Sequence, residues 1–144
     1  NRPRTEWGSR VSPSVIGNPV ISNVYEMIRP AALTPDLAGS DMAPALQIGR
    51  MAVPPEQEDA WNQWYNNVYT ANYEKVPGCI RARRWKAVRG DPKYAVVYEF
   101  EHENVSESAE WLKQRDIDPS NERMRSLMTH ATGSPGIWKK TFQP

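Results

Sequence analysis

The sequence predicts an α+β fold, an antiparallel sheet with helices on one face. Three observations carry that prediction. Alternating strand-like segments flank a turn at Arg89-Gly90-Asp91-Pro92. Helical spacing governs Pro54 to Val76, just before them. Short apolar segments, Ala45 to Val53 and Gly136 to Phe142, bracket the whole and read as strands.

Taken in order, Ala45 to Val53 is the first strand of this unit. Pro54 and Pro55 open a helix, and Glu56, Glu58 and Asp59 suit its first turn, where carboxylates meet the positive end of the helix dipole. Trp61, Trp64, Val68 and Ala71 recur at helical spacing, and Pro77-Gly78 ends the element. Cys79 to Val88 and Lys93 to Glu101 form a hairpin. Tyr94, Val96, Tyr98 and Phe100 take one face of the second strand, and Ala95, Val97, Glu99 and Glu101 the other. Setting Arg83 opposite Glu99 puts Arg81 opposite Glu101 and Trp85 opposite Val97, a register that matches opposite charges across the ladder. A second helix starts after Asn104, with Glu107 as a capping-box partner, and passes Trp111 and Leu112. A third starts at Asp118-Pro119, buries Met124, Leu127 and Met128, and ends near His130. A last strand follows.

Strand, helix, strand, strand, broken helix, strand is the split order of a ferredoxin-like unit. Residues 45–144 therefore read as one complete unit. Its helix-free face must be covered, which predicts pairing into an α/β-barrel by dimerisation or tandem repeat. Residues 1–44 read as a partial ferredoxin-like repeat or an extension, a hairpin followed by a Pro-rich connector. Gly17, Pro19, Val24, Tyr25 and Glu26 match Gly90, Pro92, Val97, Tyr98 and Glu99 in order. On the repeat reading Tyr25 and Tyr98 face the same interior, and a companion chain or a second copy supplies the missing half. On the other reading the hairpin patches a sheet edge or a dimer interface. The chain begins at Asn1, which points to a processed product, a fragment or a chain with its start removed.

Composition excludes several classes. Over 144 residues, 18 Lys+Arg against 17 Asp+Glu leave a net charge of +1, with no basic field to draw nucleic acid or a membrane surface. A mean hydropathy of -0.72 and the lack of a long apolar run argue against a membrane span, and no signal peptide is evident, so a cytoplasmic location is expected. The single cysteine, Cys79, excludes an internal disulfide and a multi-cysteine metal site. Six Trp and six Tyr against two Phe favour aromatics with a polar handle, which suits a cavity wall.

Trp64-Tyr65-Asn66, Val76-Pro77-Gly78, Arg83-Arg84-Trp85, Gly90-Asp91-Pro92-Lys93-Tyr94 and Tyr98-Glu99 resemble the dimeric α/β-barrel superfamily in its EthD-like branch, over roughly Ala45 to Phe142. The resemblance implies a sheet that faces a second sheet and a ligand pocket between sheet and helices. It spans polyketide cyclases, cofactor-independent monooxygenases, dehydratases, isomerases, decarboxylases and haem-degrading enzymes. Many EthD-like members carry a Glu-His pair on the first helix. Val68 and Tyr69 stand there in this chain, so that acid/base is absent.

Candidate site residues follow. Trp61, Tyr65, Tyr69 and Tyr73 are spaced by four and form one aromatic stripe, read either as a pocket wall or as packing of helix on sheet. Tyr69 offers a phenol where relatives offer an imidazole. His130 is the best remaining acid/base, against a plain reading as a cation at a helix end. Trp64, Trp85 and Tyr98 complete the expected lining. Arg81 and Arg83 share one strand face and pair with glutamates, whereas Arg84 and Lys86 take the other. Arg84 is the arginine assigned to anchor a carboxylate or phenolate ligand. His102 reads as a solvated strand end, and Cys79 as a structural thiol.

The leading expectation is an enzyme of lyase or isomerase type that moves a proton next to a carbonyl in an aromatic or polyketide-like substrate. Catalytic roles fall to Tyr69 and His130, with no metal and no organic cofactor. The alternative is a ligand-binding or assembly module of the same fold that has lost the family histidine. A third possibility, haem binding through His130 or His102, is read from the superfamily alone.

Overall fold

The computed structural model describes residues 22–32 and 35–141. Positions 17–21 of the proposed repeat match lie outside them, as does Phe142. Strands β1 (Val24–Arg29), β2 (Ala45–Ala52), β3 (Cys79–Arg89), β4 (Tyr94–Phe100), β5 (Thr129–His130) and β6 (Gly136–Lys139) form one antiparallel sheet. Their lateral order is β1-β3-β4-β2-β5, and β6 also pairs with β2. Without β1 this is the ferredoxin-like order, because β5 and β6 share the fourth-strand place beside β2. The fold is thus the α+β class expected. β1 lies antiparallel on the edge of β3 and extends the sheet by one strand.

A short helix α1 (Pro35–Ala38) precedes β2. Helix α2 runs without a break through a 3-10 turn (Pro55–Gln57), an α-helical stretch (Glu58–Trp64), a π-helical turn (Tyr65–Tyr69) and a last α turn (Thr70–Tyr73). Gly78, with φ +86, then turns the chain into β3. Helices α3 (Ala109–Lys113) and α4 (Asn121–Ser126) lie between β4 and β5. α2 and α3 pack on the sheet face that carries Tyr94, Tyr98 and Phe100. The core there is aromatic. Trp61 and Phe100 are wholly buried, and rings at 4.3–5.6 Å link Tyr73, Tyr98, Phe100 and Trp111.

Four expectations are corrected. The β3–β4 register is two residues away from the one expected: Arg81 faces Glu99, Arg83 faces Val97 and Trp85 faces Ala95. Gly90, with φ +101, centres the turn on itself, and Ala87 N–H bonds the Lys93 carbonyl across it. A two-residue shift keeps every side chain on its expected face. Glu99 consequently serves both arginines, with Arg81 Nε at 2.6 Å and Arg83 Nη2 at 3.1 Å. The second helix is capped by Ser108, whose Oγ accepts from Trp111 N–H, and Glu103–Glu107 forms a 3-10 turn instead of the expected first turn. His130 does not end the third helix. α4 stops at Ser126, and His130 sits on β5 opposite Met51. Tyr25 and Tyr98 do not share an interior. Tyr25 borders a groove with Trp85 and Val97 on the helix-free face, whereas Tyr98 packs beneath α2.

Candidate functional site

Between the sheet and the helices lies a cleft of about 240 Å³. β2 contributes Gln47 and Gly49 to it, and β4 contributes Val96 and Tyr98. Tyr65, Tyr69 and Tyr73 hang over it from α2. Trp111 and Arg115 close one end, and Arg125, Met128 and His130 the other. Gly49 keeps the floor open. A Cβ there would meet Val96 at 3.1 Å and Met51 at 3.2 Å.

The π turn explains how the tyrosines align. At 3.6 residues per turn, side chains four apart drift by about 40° around a helix. The wider π turn over Tyr65–Tyr69 offsets that drift where the stripe crosses the cleft. Ring centroids step down the helix at 4.9 Å (Trp61–Tyr65), 5.2 Å (Tyr65–Tyr69) and 4.9 Å (Tyr69–Tyr73). The Tyr69 and Tyr73 hydroxyls stand 3.5 Å apart. Tyr65 and Tyr98 are each 3% exposed, and the Tyr98 hydroxyl has no hydrogen-bond partner of full geometry, with Tyr65 as its neighbour. Burial holds the phenols of Tyr65, Tyr73 and Tyr98 well above their ordinary pKa.

His130 stands at the mouth, on a strand end held by its loop. Ser134 Oγ accepts from Arg50 N–H at 2.6 Å and donates to the Arg50 carbonyl at 3.1 Å, while Ala131 N–H bonds the same carbonyl at 3.0 Å. His130 is exposed as a residue, and partial desolvation and then the Arg125 charge lower its pKa below the ordinary value.

The cleft brings together Tyr65, Tyr69, Tyr98 and His130 of the expected set. Trp61 and Trp64 do not line it. Trp61 lies fully buried against Tyr94, and Trp64 donates from Nε1 to Asn121 Oδ1 at 3.0 Å, tying α2 to α4. Trp85 is on the helix-free face. Arg84 is wholly buried behind the cleft, its guanidinium 4.1 Å from the Tyr65 ring centroid and 4.8 Å from that of Trp61. It donates to Asn66 Oδ1 at 2.6 Å and Asn62 Oδ1 at 2.9 Å, with no ion-pair partner among the described residues. Burial pulls its pKa down to about 10, so it remains a cation at neutral pH. Cys79 is pushed up to about 12, chiefly by burial, and is a poor nucleophile.

Sequence reasoning missed Gln47, Gly49, Trp111, Arg115 and Arg125. The two arginines belong to a stretch with no motif, and only the packing of α4 toward β5 brings Arg125 to His130. A second feature was also missed. Arg29 of β1 clamps Glu74 with two hydrogen bonds (2.9 and 2.7 Å) and donates from Nε to the Asn66 carbonyl at 3.2 Å. The edge strand is thereby fastened to the π turn that carries the tyrosines.

Among the described residues no group of three or more His, Cys, Asp or Glu could hold a metal ion, and no helix is long and apolar enough to cross a membrane. No protein-family model and no curated protein matches the chain. Among solved structures, it is similar to an ethyl tert-butyl ether D (EthD) family protein from Bacillus halodurans C-125, at 14% identity over 67% of this chain and 99% of that one, with a TM-score of 0.48. It is likewise similar to an antibiotic biosynthesis monooxygenase-like protein from Nitrosomonas europaea, at 16% identity over 68% of this chain and 99% of that one, with a TM-score of 0.47.

Proposed function

We propose that the chain is a small-molecule enzyme that moves a proton next to a carbonyl group of an aromatic substrate. The observation that carries this reading is the cleft's division of labour. Its phenols at Tyr65, Tyr73 and Tyr98 are held protonated by burial and are poor bases near pH 7. His130 is the one ionisable lining group that is neutral and able to accept a proton near pH 7. In this reading a His130 ring nitrogen removes the proton α to the carbonyl. Tyr69, half-buried under α2, donates a hydrogen bond to the carbonyl oxygen as it becomes an enolate. At about 240 Å³ the cleft is smaller than the roughly 300–1,000 Å³ of common ligand sites, which favours one or two fused rings over a large polyketide. The reaction belongs to the isomerase or lyase type, since proton removal next to a carbonyl precedes both. A second copy would cover the helix-free face, where Trp138 is 61% exposed beside Leu46.

The competing reading is a ligand-binding or assembly module. It is favoured by Tyr65 and Tyr98, which are buried among other rings rather than turned outward. Deuterium exchange at the benzylic CH2 of phenylpyruvate, followed by NMR in D2O, separates the two. The enzyme reading expects exchange faster than in buffer, slowed about 100-fold or more by His130→Ala and about 10-fold by Tyr69→Phe. Exchange no faster than buffer, or equal rates in both variants and the native chain, overturns it.

A further inference from the structure

Resting on the cleft as the ligand site, we infer that it selects an anionic ligand, a one- or two-ring aromatic carboxylate, and that Arg125 anchors the carboxylate.

The charge of the lining is one-sided. Among the described residues Arg115, Arg125 and His130 border the cleft, and no Asp or Glu does. Elsewhere three of the described half-buried arginines meet acids. Arg29 meets Glu74 at 2.7 Å, and Arg81 and Arg83 meet Glu99 at 2.6 and 3.1 Å. Arg50 and Arg125 have no such partner among the described residues, and of these two only Arg125 lines the cleft. Arg125 lies in the last turn of α4, where a cation suits the negative end of the helix, so its position needs no acid to hold it. A half-buried guanidinium without a counter-ion gains most from a ligand that brings one, because the pair forms where water screens it poorly.

The uncharged groups point the same way. Tyr69 and Tyr73 line the cleft with their hydroxyls 3.5 Å apart, a pair that can donate to an incoming oxygen. A carboxylate or enolate oxygen is such an acceptor, and the aromatic lining of Tyr65 and Trp111 suits a flat apolar body. An amine or other cation would face Arg125, which has no acid partner among the described residues, and Arg115, whose Asp116 lies 3.9 Å away and exposed.

The test is equilibrium binding of two isosteres, 2-naphthoate and 2-naphthamide, followed by intrinsic fluorescence. The native chain should bind the carboxylate about ten-fold or more tightly than the amide. Arg125→Gln should erase that preference and leave amide binding unchanged, and Arg125→Lys should restore part of it. Circular dichroism of both variants confirms that they fold. Arg83→Gln, on the opposite sheet face, should change nothing. Equal binding of the two isosteres overturns the anion proposal and leaves the cleft as the ligand site. No binding of either overturns the cleft reading together with the proposal. A preference lost in Arg83→Gln but kept in Arg125→Gln places the anion elsewhere and overturns the assignment.

Discussion

Alkaline pH provides a quantitative test of how the cleft is built. Tyr65 and Tyr98 are buried, and burial raises both phenols well above the unfolded value of 10.0. Because the folded pKa is raised, the stability contribution is fully present below pH 10 and falls as pH rises beyond it. Above that point the unfolded chain releases a proton that the folded chain keeps. Each such phenol costs about 1.4 kcal/mol per pH unit, and two cost about 2.7 kcal/mol per unit. From pH 10 to about pH 11.5 the loss is on the order of 4 kcal/mol, a large part of the roughly 5–15 kcal/mol that holds a domain folded. Tyr73 acts in the same direction. Arg84 acts in the opposite one, since its folded pKa is lowered to about 10. Comparison with the Tyr65→Phe/Tyr98→Phe double variant isolates the two phenols together with their coupling to Arg84, whose pKa they raise. Urea midpoints measured at half-unit steps of pH should show the native chain losing stability about 2.7 kcal/mol per unit faster than the double variant. Equal slopes in the two proteins would show that these phenols ionise freely in the fold, and the burial assigned to the cleft floor would be refuted.

Two further predictions concern the frame around the cleft. Arg84→Lys removes the fork that reaches both Asn62 and Asn66, leaving at least one buried amide oxygen without a donor, and should cost about 1–3 kcal/mol in urea unfolding. Unchanged stability would mean that the two amides find other donors and that Arg84 does not hold them. Gly90→Ala places a Cβ at φ +101 against the side chain of Asn23, which accepts from Asp91 N–H. A thermal midpoint lowered by several degrees, about 1–2 kcal/mol, is expected, and an unaltered midpoint would argue that the turn can relax away from Asn23.

How much of this was legible in the sequence depended on the range of the contact. Element order followed from local signals, namely the proline pair before α2, Pro77-Gly78 after it, and alternation in β3 and β4. The separation of Arg81 and Arg83 from Arg84 followed from strand alternation alone. The register did not, because charge matching at Arg83–Glu99 and at Arg81–Glu99 satisfies the same rule, and the backbone of Gly90 decides between them. The tyrosine stripe was visible as spacing, but its alignment depends on a π turn that no residue pattern announced. Strand alternation sets Arg84 apart from the glutamate-paired arginines and leaves it open to anchor an anion. Two asparagines and two aromatic faces satisfy it instead. Arg125 was missed for the converse reason. Its aromatic neighbours Tyr65 and Tyr73 lie across the fold on α2, and no residue pattern around Arg125 marks it.

Arg84 and Arg125 together constrain the chemistry of the proposed reaction. Arg84 stands one ring behind the cleft, 4.1 Å from the centroid of Tyr65, in a dry setting where its charge is weakly screened. Arg125 stands at the mouth. Negative charge developing on a substrate oxygen between them is stabilised from both sides, without any need for either cation to move. The same field opposes a positive charge on His130, whose pKa burial and Arg125 already lower. A proton taken up by His130 is therefore held weakly and is best returned to the same substrate. Return at a different carbon gives isomerisation, and return to a departing hydroxyl gives dehydration. In the proposed reaction the field around the cleft therefore favours an anionic intermediate over a cationic one.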